Sequence, residues 1–269
     1  IDNALDCYNK AIKINPNYAE AYINRSIILN NRNELDLALE DCNKAIKIKP
    51  NFAEAYNNRG IVLSKLKKIE YALESYKKAF SINPNLDFLH GSLVYCKMNL
   101  CEWDNLDNDF KNLNKGINEG KTIATPYSTI HFFDSPNIQR KCAENFVKKK
   151  YEININNNLI FKKDKQKIRL GYYSADFCHH PTSLLISELL EQHDKTYFEL
   201  YGFYFGNIKK DEMLDRTSKA FKKFYNVCDM SDHEISKMSR NLKIDIAIDL
   251  MGFTEKNRFG IFVEKCAPI

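Results

Sequence analysis

The first third of the chain repeats its small and apolar residues every 34 positions. Proline recurs with this spacing, at Pro16, Pro50 and Pro84. Two rows of alanine repeat in phase with it, namely Ala4, Ala38 and Ala72, each followed by leucine, and Ala11, Ala45 and Ala79. Alanine lets two helices approach closely, whereas proline ends a helix because it lacks an N–H and its ring clashes with the preceding turn. The pattern therefore predicts pairs of antiparallel helices along residues 1–95.

A helical pair of this length, with alanine at fixed points and a closing proline, is typical of the tetratricopeptide repeat (TPR). One pair cannot bury its own apolar face, so successive pairs stack into a superhelix. We expect residues 1–15 to be the second helix of an incomplete repeat, residues 19–83 to hold two full repeats, and a third to begin near Leu86. Such an architecture favours binding of another protein or a peptide.

Two asparagines occupy equivalent positions on the predicted first helices of the full repeats, Asn24 and Asn58. A side-chain amide both donates and accepts hydrogen bonds, so a row of them could hold an extended peptide backbone. We therefore predict that these residues face a peptide-binding groove. The alternative is that they reflect only the abundance of asparagine in this chain, and Ser92 interrupts the row in the third repeat.

Residues 96–163 are predicted to form a mostly helical connecting region. Trp103, Phe110 and Leu113 are its candidate core residues. Residues 154–158 form a polar linker, and residues 162–167 form a charged run that leads into the next strand. His90 and His131 are isolated histidines, for which we expect structural roles.

The hydrophobic period changes in residues 164–269. Short apolar runs predict strands at residues 168–173, 198–205, 224–228 and 244–250, and amphipathic stretches predict helices at 182–193, 211–223 and 231–241. Alternating elements of these lengths imply a parallel sheet with helices on both faces. The predicted fold class is thus a TPR superhelix followed by a Rossmann-like α/β half-domain. The first strand lacks a following G-x-G-x-x-G, so a conventional dinucleotide site is not expected.

In parallel sheets of this kind, ligands bind where the strands end at their carboxyl edge. The loops after the first and last predicted strands are rich in polar residues. We predict a substrate-binding role for Asp176, His179, Thr182, Ser183, Gly252 and Thr254, and a catalytic role for His180. The N–H groups that open a helix favour an anion or an oxygen-rich ligand, and a histidine there can act as a general base or a hydrogen-bond donor.

The same residues are open to structural interpretations. Asp176 would then cap a turn, Thr182 would cap the following helix, and one histidine would pack against an aromatic ring. A metal site is a further alternative, but two adjacent histidines rarely reach one ion together, so we predict no metal.

The composition of the chain argues against nucleic acid and membranes as partners. The net charge of +5, from 40 Lys and Arg against 35 Asp and Glu, is mild, and no basic block with interleaved aromatics indicates nucleic-acid binding. No apolar run of about 18 residues indicates a membrane span. None of the eight cysteines forms a C-x-x-C pair, and Cys7 and Cys42 are expected to act as small buried hydrophobes. A reducing, cytoplasmic location fits this usage best.

The stretch 168–183, with its run G-Y-Y-S-A-D-F-x-x-H, resembles the start of the catalytic region of the O-linked N-acetylglucosamine (O-GlcNAc) transferase family, which includes SPINDLY-type bacterial proteins. The resemblance continues through residues 198–200 and 244–254 to 266–269, and also covers residues 101–104. TPRs directly before such a catalytic region are that family's architecture.

The resemblance implies an inverting glycosyltransferase of the GT-B type, built from two Rossmann-like halves. A Ser or Thr hydroxyl of a protein held by the TPRs would attack the anomeric carbon of UDP-N-acetylglucosamine (UDP-GlcNAc), without a cofactor or metal. It places His180 near the reacting sugar as a candidate base, whereas His179 and Asp245 stand where family members vary.

The resemblance also implies that a second half, carrying most of the nucleotide contacts, begins beyond Ile269. We therefore expect residues 1–269 alone to be inactive. Two other functions stay open. One is a non-catalytic TPR scaffold for protein–protein interaction, and the other is a metal-dependent hydrolase using Asp176, His179 and His180.

Overall fold

The computed structural model describes residues 2–151, 167–206, 211–254 and 256–269. They form two compact regions, an N-terminal region, Ile1–Phe146, and a C-terminal region, Val147–Ile269. The predicted polar linker at 154–158, most of the charged run at 162–167 and the predicted domain border at 163 lie outside the described residues.

The N-terminal region is helical throughout. Its helices are α1 (Asp2–Ile14), α2 (Ala19–Asn31), α3 (Leu35–Ile48), α4 (Ala53–Lys65), α5 (Ile69–Ile82), α6 (Leu89–Asn99), α7 (Leu106–Asn118), α8 (Pro126–Phe132) and α9 (Pro136–Lys150). We name α2 with α3 repeat A, and α4 with α5 repeat B. The second helix of each repeat ends two residues before its proline, at Ile48 and Ile82, as the repeat pattern predicts. The two predicted full repeats are therefore confirmed.

Small residues lie where the helices of each repeat cross. Ala38 and Ala45 in repeat A, and Ala72 and Ala79 in repeat B, are fully buried. The helices of residues 96–146 pack on this stack rather than apart from it. Their buried residues Leu113, Ile117, Phe132 and Cys142 share one hydrophobic cluster with Leu73, Tyr76 and Leu89 of the preceding helices.

Two predicted core positions are wrong. Trp103 is 59% exposed, because it lies in the connection between α6 and α7, where Leu100 and Leu106 pack against the core instead. Cys7 is exposed, whereas Cys42 is buried as expected. The 34-residue register aligns Cys7 with Asp41, not with Cys42.

The two histidines of the N-terminal region make contacts within it. His90 is buried, and its Nε2 lies 3.3 Å from an Asp109 carboxylate oxygen. The His131 ring lies against Tyr95 and Tyr127, with centroid distances of 5.5 and 5.2 Å. Both histidines thus have the structural roles that the sequence predicts.

The C-terminal region alternates strands and helices. Its elements are β1 (Ile168–Ser174), α10 (Pro181–Gln192), β2 (Phe198–Tyr204), α11 (Glu212–Ala220), β3 (Lys223–Asn226), α12 (Asp232–Asn241), β4 (Ile246–Asp249) and α13 (Gly260–Val263). The predicted elements are confirmed to within a few residues, except that α11 ends three residues before the predicted helix does and β3 begins at Lys223. Ser231 and Glu234 form a capping box at the start of α12.

The four strands form one parallel sheet in the order β3-β2-β1-β4. One face packs Tyr173 and Phe203, stacked with centroids 4.4 Å apart, against Ile235 of α12 and Ile261 of α13. The other face packs against α10 and α11 through Leu170, Tyr172, Leu200 and Tyr204. Helices thus cover both faces, as predicted. Within the part of the chain that the structure describes, no helix is long and apolar enough to cross a membrane.

Candidate functional site

The strand order changes direction between β1 and β4. The chain runs from β1 outward to β2 and β3, then returns to place β4 on the other side of β1. A crevice at the carboxyl edge between two such strands is where open α/β sheets bind ligands. The loops after β1 and β4 are the two loops that the sequence analysis selected, and both leave the sheet at this edge.

Met251 joins the two loops. The Leu250 N–H donates to the Tyr173 carbonyl at 3.1 Å and extends the pairing of β4 with β1. Beyond it, the Met251 sulfur lies 3.5 Å from the Ser174 hydroxyl and 3.4 Å from the Ala175 N–H, and both groups donate to it. Met251 is buried, so the start of one loop is fixed directly against the start of the other.

The loop after β1 is held from within. The Asp176 N–H donates to the Ser174 hydroxyl at 2.9 Å, and the Ser183 hydroxyl donates to the Asp176 carbonyl. Ser183 is fully buried. Its hydroxyl therefore closes the loop onto the first turn of α10, and we assign it no contact with a ligand. The Asp176 side chain is 13% exposed.

His180 is the N-cap residue of α10. Its backbone is extended, and its Nδ1 accepts a hydrogen bond from the Thr182 N–H at 3.2 Å, while Pro181 occupies the first helical position. The Thr182 hydroxyl lies 3.1 Å from the same nitrogen, and an Asp176 carboxylate oxygen lies 3.7 Å from it. The interpretation of Thr182 as the cap is wrong, because the imidazole fills that role.

This cap decides which nitrogen of neutral His180 carries the proton. A backbone N–H can only donate, so Nδ1 must present its lone pair, and the ring proton then resides on Nε2. The side chain is 43% exposed. His180 thus combines a fixed inner edge with an outer edge that offers an N–H donor.

Asp211 anchors the adjacent part of the loop. Its carboxylate caps α11 by accepting from the Leu214 N–H at 2.7 Å, and it also accepts from the His179 N–H at 3.0 Å. Burial opposes ionisation of this carboxyl, but the backbone donors outweigh it and lower the pKa of Asp211. The His179 side chain is exposed, so only its backbone is held. Sequence reasoning missed Asp211, although an aspartate just before a predicted helix signals a cap.

The loop after β4 is a tight turn around a carboxylate. Asp249 accepts from the Met251 N–H at 2.9 Å and from the Gly252 N–H at 3.1 Å. Burial raises the pKa of Asp249 although these two donors favour its charged form. Gly252 has a φ of +55°, a conformation that glycine adopts at little cost. The exposed Thr254 turns its hydroxyl back onto the Met251 carbonyl at 2.9 Å.

Three other predicted positions are not part of these two loops. Asp245 is buried at the opposite end of β4, where its carboxylate accepts from the Arg169 N–H at 2.9 Å. Asn24 and Asn58 lie on α2 and α4 of the N-terminal region, exposed and half-buried respectively. Neither of these amides bonds to another described side chain or backbone group, so both are available to a ligand.

The described residues include no group of three His, Cys, Asp or Glu side chains that could hold a metal ion. Asp176 and His180 lie close together, but His180 Nδ1 is engaged by the Thr182 N–H. The His179 side chain is exposed and does not complete a set of three ligands. The hydrolase alternative therefore has no geometric support in the described loops.

Comparison with known protein families identifies similarities for both regions of the chain. Residues 137–269 match the family model of glycosyl transferase family 41. We call this the family 41 segment, after the family that it is similar to. Three TPR family models match residues 7–40, 27–67 and 53–86. The chain thus joins TPRs to a family 41 segment, as the resemblance implies.

The curated relatives point the same way. The chain is 32% identical over 104 residues to the Arabidopsis thaliana protein named "Probable UDP-N-acetylglucosamine--peptide N-acetylglucosaminyltransferase SEC", an alignment that covers 39% of this chain and 11% of that protein. It is 31% identical over 112 residues to the Arabidopsis thaliana protein of the same name ending in SPINDLY, covering 40% of this chain and 12% of that protein. The aligned stretch is thus about a tenth of each relative's length.

A solved structure supports the fold. The chain is similar to an O-GlcNAc transferase from Thermobaculum terrenum, with a TM-score of 0.57 and 19% identity. The similarity covers 98% of this chain and 45% of that one. The family 41 segment and the TPRs before it therefore follow the arrangement of elements found in an O-GlcNAc transferase.

Proposed function

We propose that the whole protein transfers N-acetylglucosamine from UDP-GlcNAc to Ser or Thr hydroxyls of other proteins. The observation that carries the proposal is the position of His180 and its loop within the family 41 segment, at the crevice between β1 and β4. The similarity to proteins named as peptide N-acetylglucosaminyltransferases supports the donor and the acceptor class. The loops after β1 and β4 would form one wall of the sugar-nucleotide site.

In the proposed reaction, the acceptor oxygen forms a bond to the anomeric carbon. The bond from that carbon to the β-phosphate oxygen breaks, UDP leaves with the electron pair, and the acceptor proton is released to solvent. Attack from the face opposite the leaving group inverts the anomeric centre. Negative charge then grows on the diphosphate, and hydrogen-bond donors placed there lower the barrier.

The geometry of His180 favours a role as a hydrogen-bond donor over a role as a general base. Its Nδ1 lone pair is engaged by the Thr182 N–H at 3.2 Å, so this nitrogen could take a proton only if the cap of α10 broke. Its Nε2–H lies on the exposed edge and can donate to a sugar or phosphate oxygen.

The acceptor protein would lie along the first helices of the TPRs. Asn24 and Asn58 are equivalent residues of repeats A and B with amides available to a ligand. Each amide can bond both the N–H and the C=O of an extended backbone. This arrangement would hold many acceptor sequences, because it contacts the backbone and not the side chains.

The test uses the full-length gene product. It is incubated with a panel of UDP- and GDP-sugars and a lysate of its own cells, and mass spectrometry detects sugar added to Ser or Thr. We expect transfer from UDP-GlcNAc. His180→Ala removes both the cap and the ring donor, while His180→Asn keeps a capping oxygen and removes only the ring.

Both variants should lose about 10²- to 10³-fold in rate, the usual effect of removing a donor to a developing charge. Wild-type activity in His180→Asn would refute the donor role, because the cap alone would then suffice. A folded protein that transfers no sugar from any donor, yet binds peptides through its repeats, would instead be the TPR scaffold.

A further inference from the structure

Repeats A and B carry an arginine at the same position, with different partners. Arg25 of α2 and Arg59 of α4 are 34 residues apart, and the facing position on the second helix is Asp41 in repeat A and Ser75 in repeat B. In repeat A the pair is bidentate, with Arg25 Nε and Nη2 donating to the two Asp41 oxygens at 2.7 and 2.6 Å. Its Nη1 donates to Asn9 of the preceding helix at 2.8 Å.

Repeat B has the same arginine without the carboxylate. Arg59 donates through Nε to the Ser75 hydroxyl at 3.0 Å, and that hydroxyl in turn donates to the Tyr71 carbonyl at 2.8 Å. The guanidinium also lies over the Tyr56 ring, 5.2 Å from its centroid. None of the described carboxylates forms an ion pair with Arg59, so its outer N–H groups have no anionic partner within the described chain.

A cavity lies beside this arginine. It has a volume of about 550 Å³ and opens between α3 and α5, the second helices of the two repeats. The residues that line it are Leu39, Asn43, Arg59, Leu63, Lys68, Tyr71, Glu74 and Ser75. Asn43 is the equivalent of Asn9, which bonds the arginine of repeat A. The cavity therefore contains the equivalents of Arg25 and Asn9. In place of the anionic Asp41 it has a neutral serine.

We propose that the Arg59 cavity binds an aspartate or glutamate side chain of a protein partner. The partner's carboxylate would occupy the place that Asp41 holds in repeat A, with bidentate bonds to the guanidinium. Lys68 adds a second positive charge to the lining, against the single carboxylate of Glu74.

Two features favour a protein over a small organic acid. The lining includes the apolar Leu39 and Leu63, and Tyr71 at the rim is 62% exposed. Exposed tyrosines beside a charged pocket are common at protein interfaces. The volume also exceeds what one carboxylate fills and leaves room for neighbouring atoms of a chain. Arg59 is one position from Asn58, about 100° around α4, so this surface differs from the proposed acceptor groove and does not depend on sugar transfer.

The experiment compares two display libraries of peptides seven residues long, blocked at both termini, with Glu or Gln fixed at the centre. They are selected on the full-length protein and on its Ser75→Asp variant, which installs the aspartate of repeat A beside Arg59. We expect Glu peptides to be enriched at least tenfold over Gln peptides on the wild type, and this preference to disappear in Ser75→Asp. A circular dichroism melt confirms that the variant is folded, which we expect because repeat A has the same residue.

A gain-of-site variant provides the matched test. Asp41→Ser gives repeat A the composition of repeat B, so it should bind a second equivalent of the selected Glu peptide by titration calorimetry. Equal enrichment of both libraries, no enrichment, or an unchanged preference in Ser75→Asp would overturn the proposal. Competition with sodium acetate gives a further test. If acetate displaces the bound peptide as efficiently as free Glu peptide does at the same concentration, the proposal is also overturned, because the cavity would then be a site for small anions only.

Discussion

The crossing of the two helices in each repeat depends on a pair of residues whose sizes are matched. In repeat A the pair is Ser26 with Cys42, and in repeat B it is Gly60 with Tyr76, 34 positions later in both cases. A Cβ atom on Gly60 would lie 2.5 Å from Tyr76 Cε1 and 2.7 Å from its Cδ1. Carbon atoms rest about 3.5–4.0 Å apart, so the ring would have to move by about 1 Å.

The magnitudes follow from this geometry. Gly60→Ser removes a glycine from a helix and gains about 0.5 kcal/mol in helix propensity, but over-packing of a buried ring costs about 1–3 kcal/mol. We expect a net loss of about 1–2 kcal/mol in the free energy of unfolding. Tyr76 is 3% exposed, so Tyr76→Cys alone should cost about 3–5 kcal/mol. The double variant copies the pair of repeat A. Its loss in the free energy of unfolding should be about 1–2 kcal/mol smaller than the sum of the losses of the two single variants.

The assay is urea denaturation followed by helical circular dichroism, on the wild type, both single variants and the double variant. As a control, Gly60→Ser combined with Leu190→Ala, in the C-terminal region, should be additive. Additivity of Gly60→Ser and Tyr76→Cys to within about 0.5 kcal/mol would refute the size-matching argument, because contacting residues that repack together must show coupling.

Three further predictions concern ionisation, capping and thiols. Lys222 and, to a smaller degree, Arg169 lower the pKa of Glu199 below its ordinary 4.5, so Glu199→Gln should lose up to about 1 kcal/mol of stability at neutral pH. That difference should shrink as the pH falls below about 4.5, because the carboxyl then takes up a proton in the unfolded state first, and it should vanish once the pH has passed the lower native pKa; urea melts across this range measure it. His180→Ala should cost about 0.5–2 kcal/mol of stability in the same assay and His180→Asn almost none. Iodoacetamide should alkylate exposed cysteines of the folded protein before buried ones, whose pKa burial raises to about 11, as read by peptide mass spectrometry. The exposed thiols are Cys7, Cys101 and Cys228. Those with a pKa raised to about 11 are Cys42, Cys142 and Cys266, and Cys96 is buried as well.

The helices of the repeats could be predicted because their signals are local and repeated. Pro50 and Pro84 end their helices whatever surrounds them, and alanines at crossings recur in register. The same register would have shown that Cys7 aligns with Asp41, a position that faces arginine. Trp103 was predicted to be buried because it is large and apolar, but a connection between helices can leave such a residue in solvent.

The candidate site could be predicted only in outline. Alternating elements imply a parallel sheet, and the loops after β1 and β4 follow from strand ends. The order of the strands does not follow, because no local pattern states on which side of β1 the chain returns. The His180 cap could have been inferred from Pro181, since proline favours the first helical position. The bond from the His179 N–H to Asp211 joins residues 32 positions apart, and only the folded chain reveals it.

The exposure of Trp103 has a spectroscopic consequence. It is the sole tryptophan of the sequence and lies in the N-terminal region, 59% exposed in the native state. Its emission should therefore change little on unfolding. The stacked Tyr173 and Phe203 rings of the sheet should instead contribute near-ultraviolet dichroism that is lost when the sheet unfolds. Unfolding is therefore better followed by circular dichroism than by tryptophan emission.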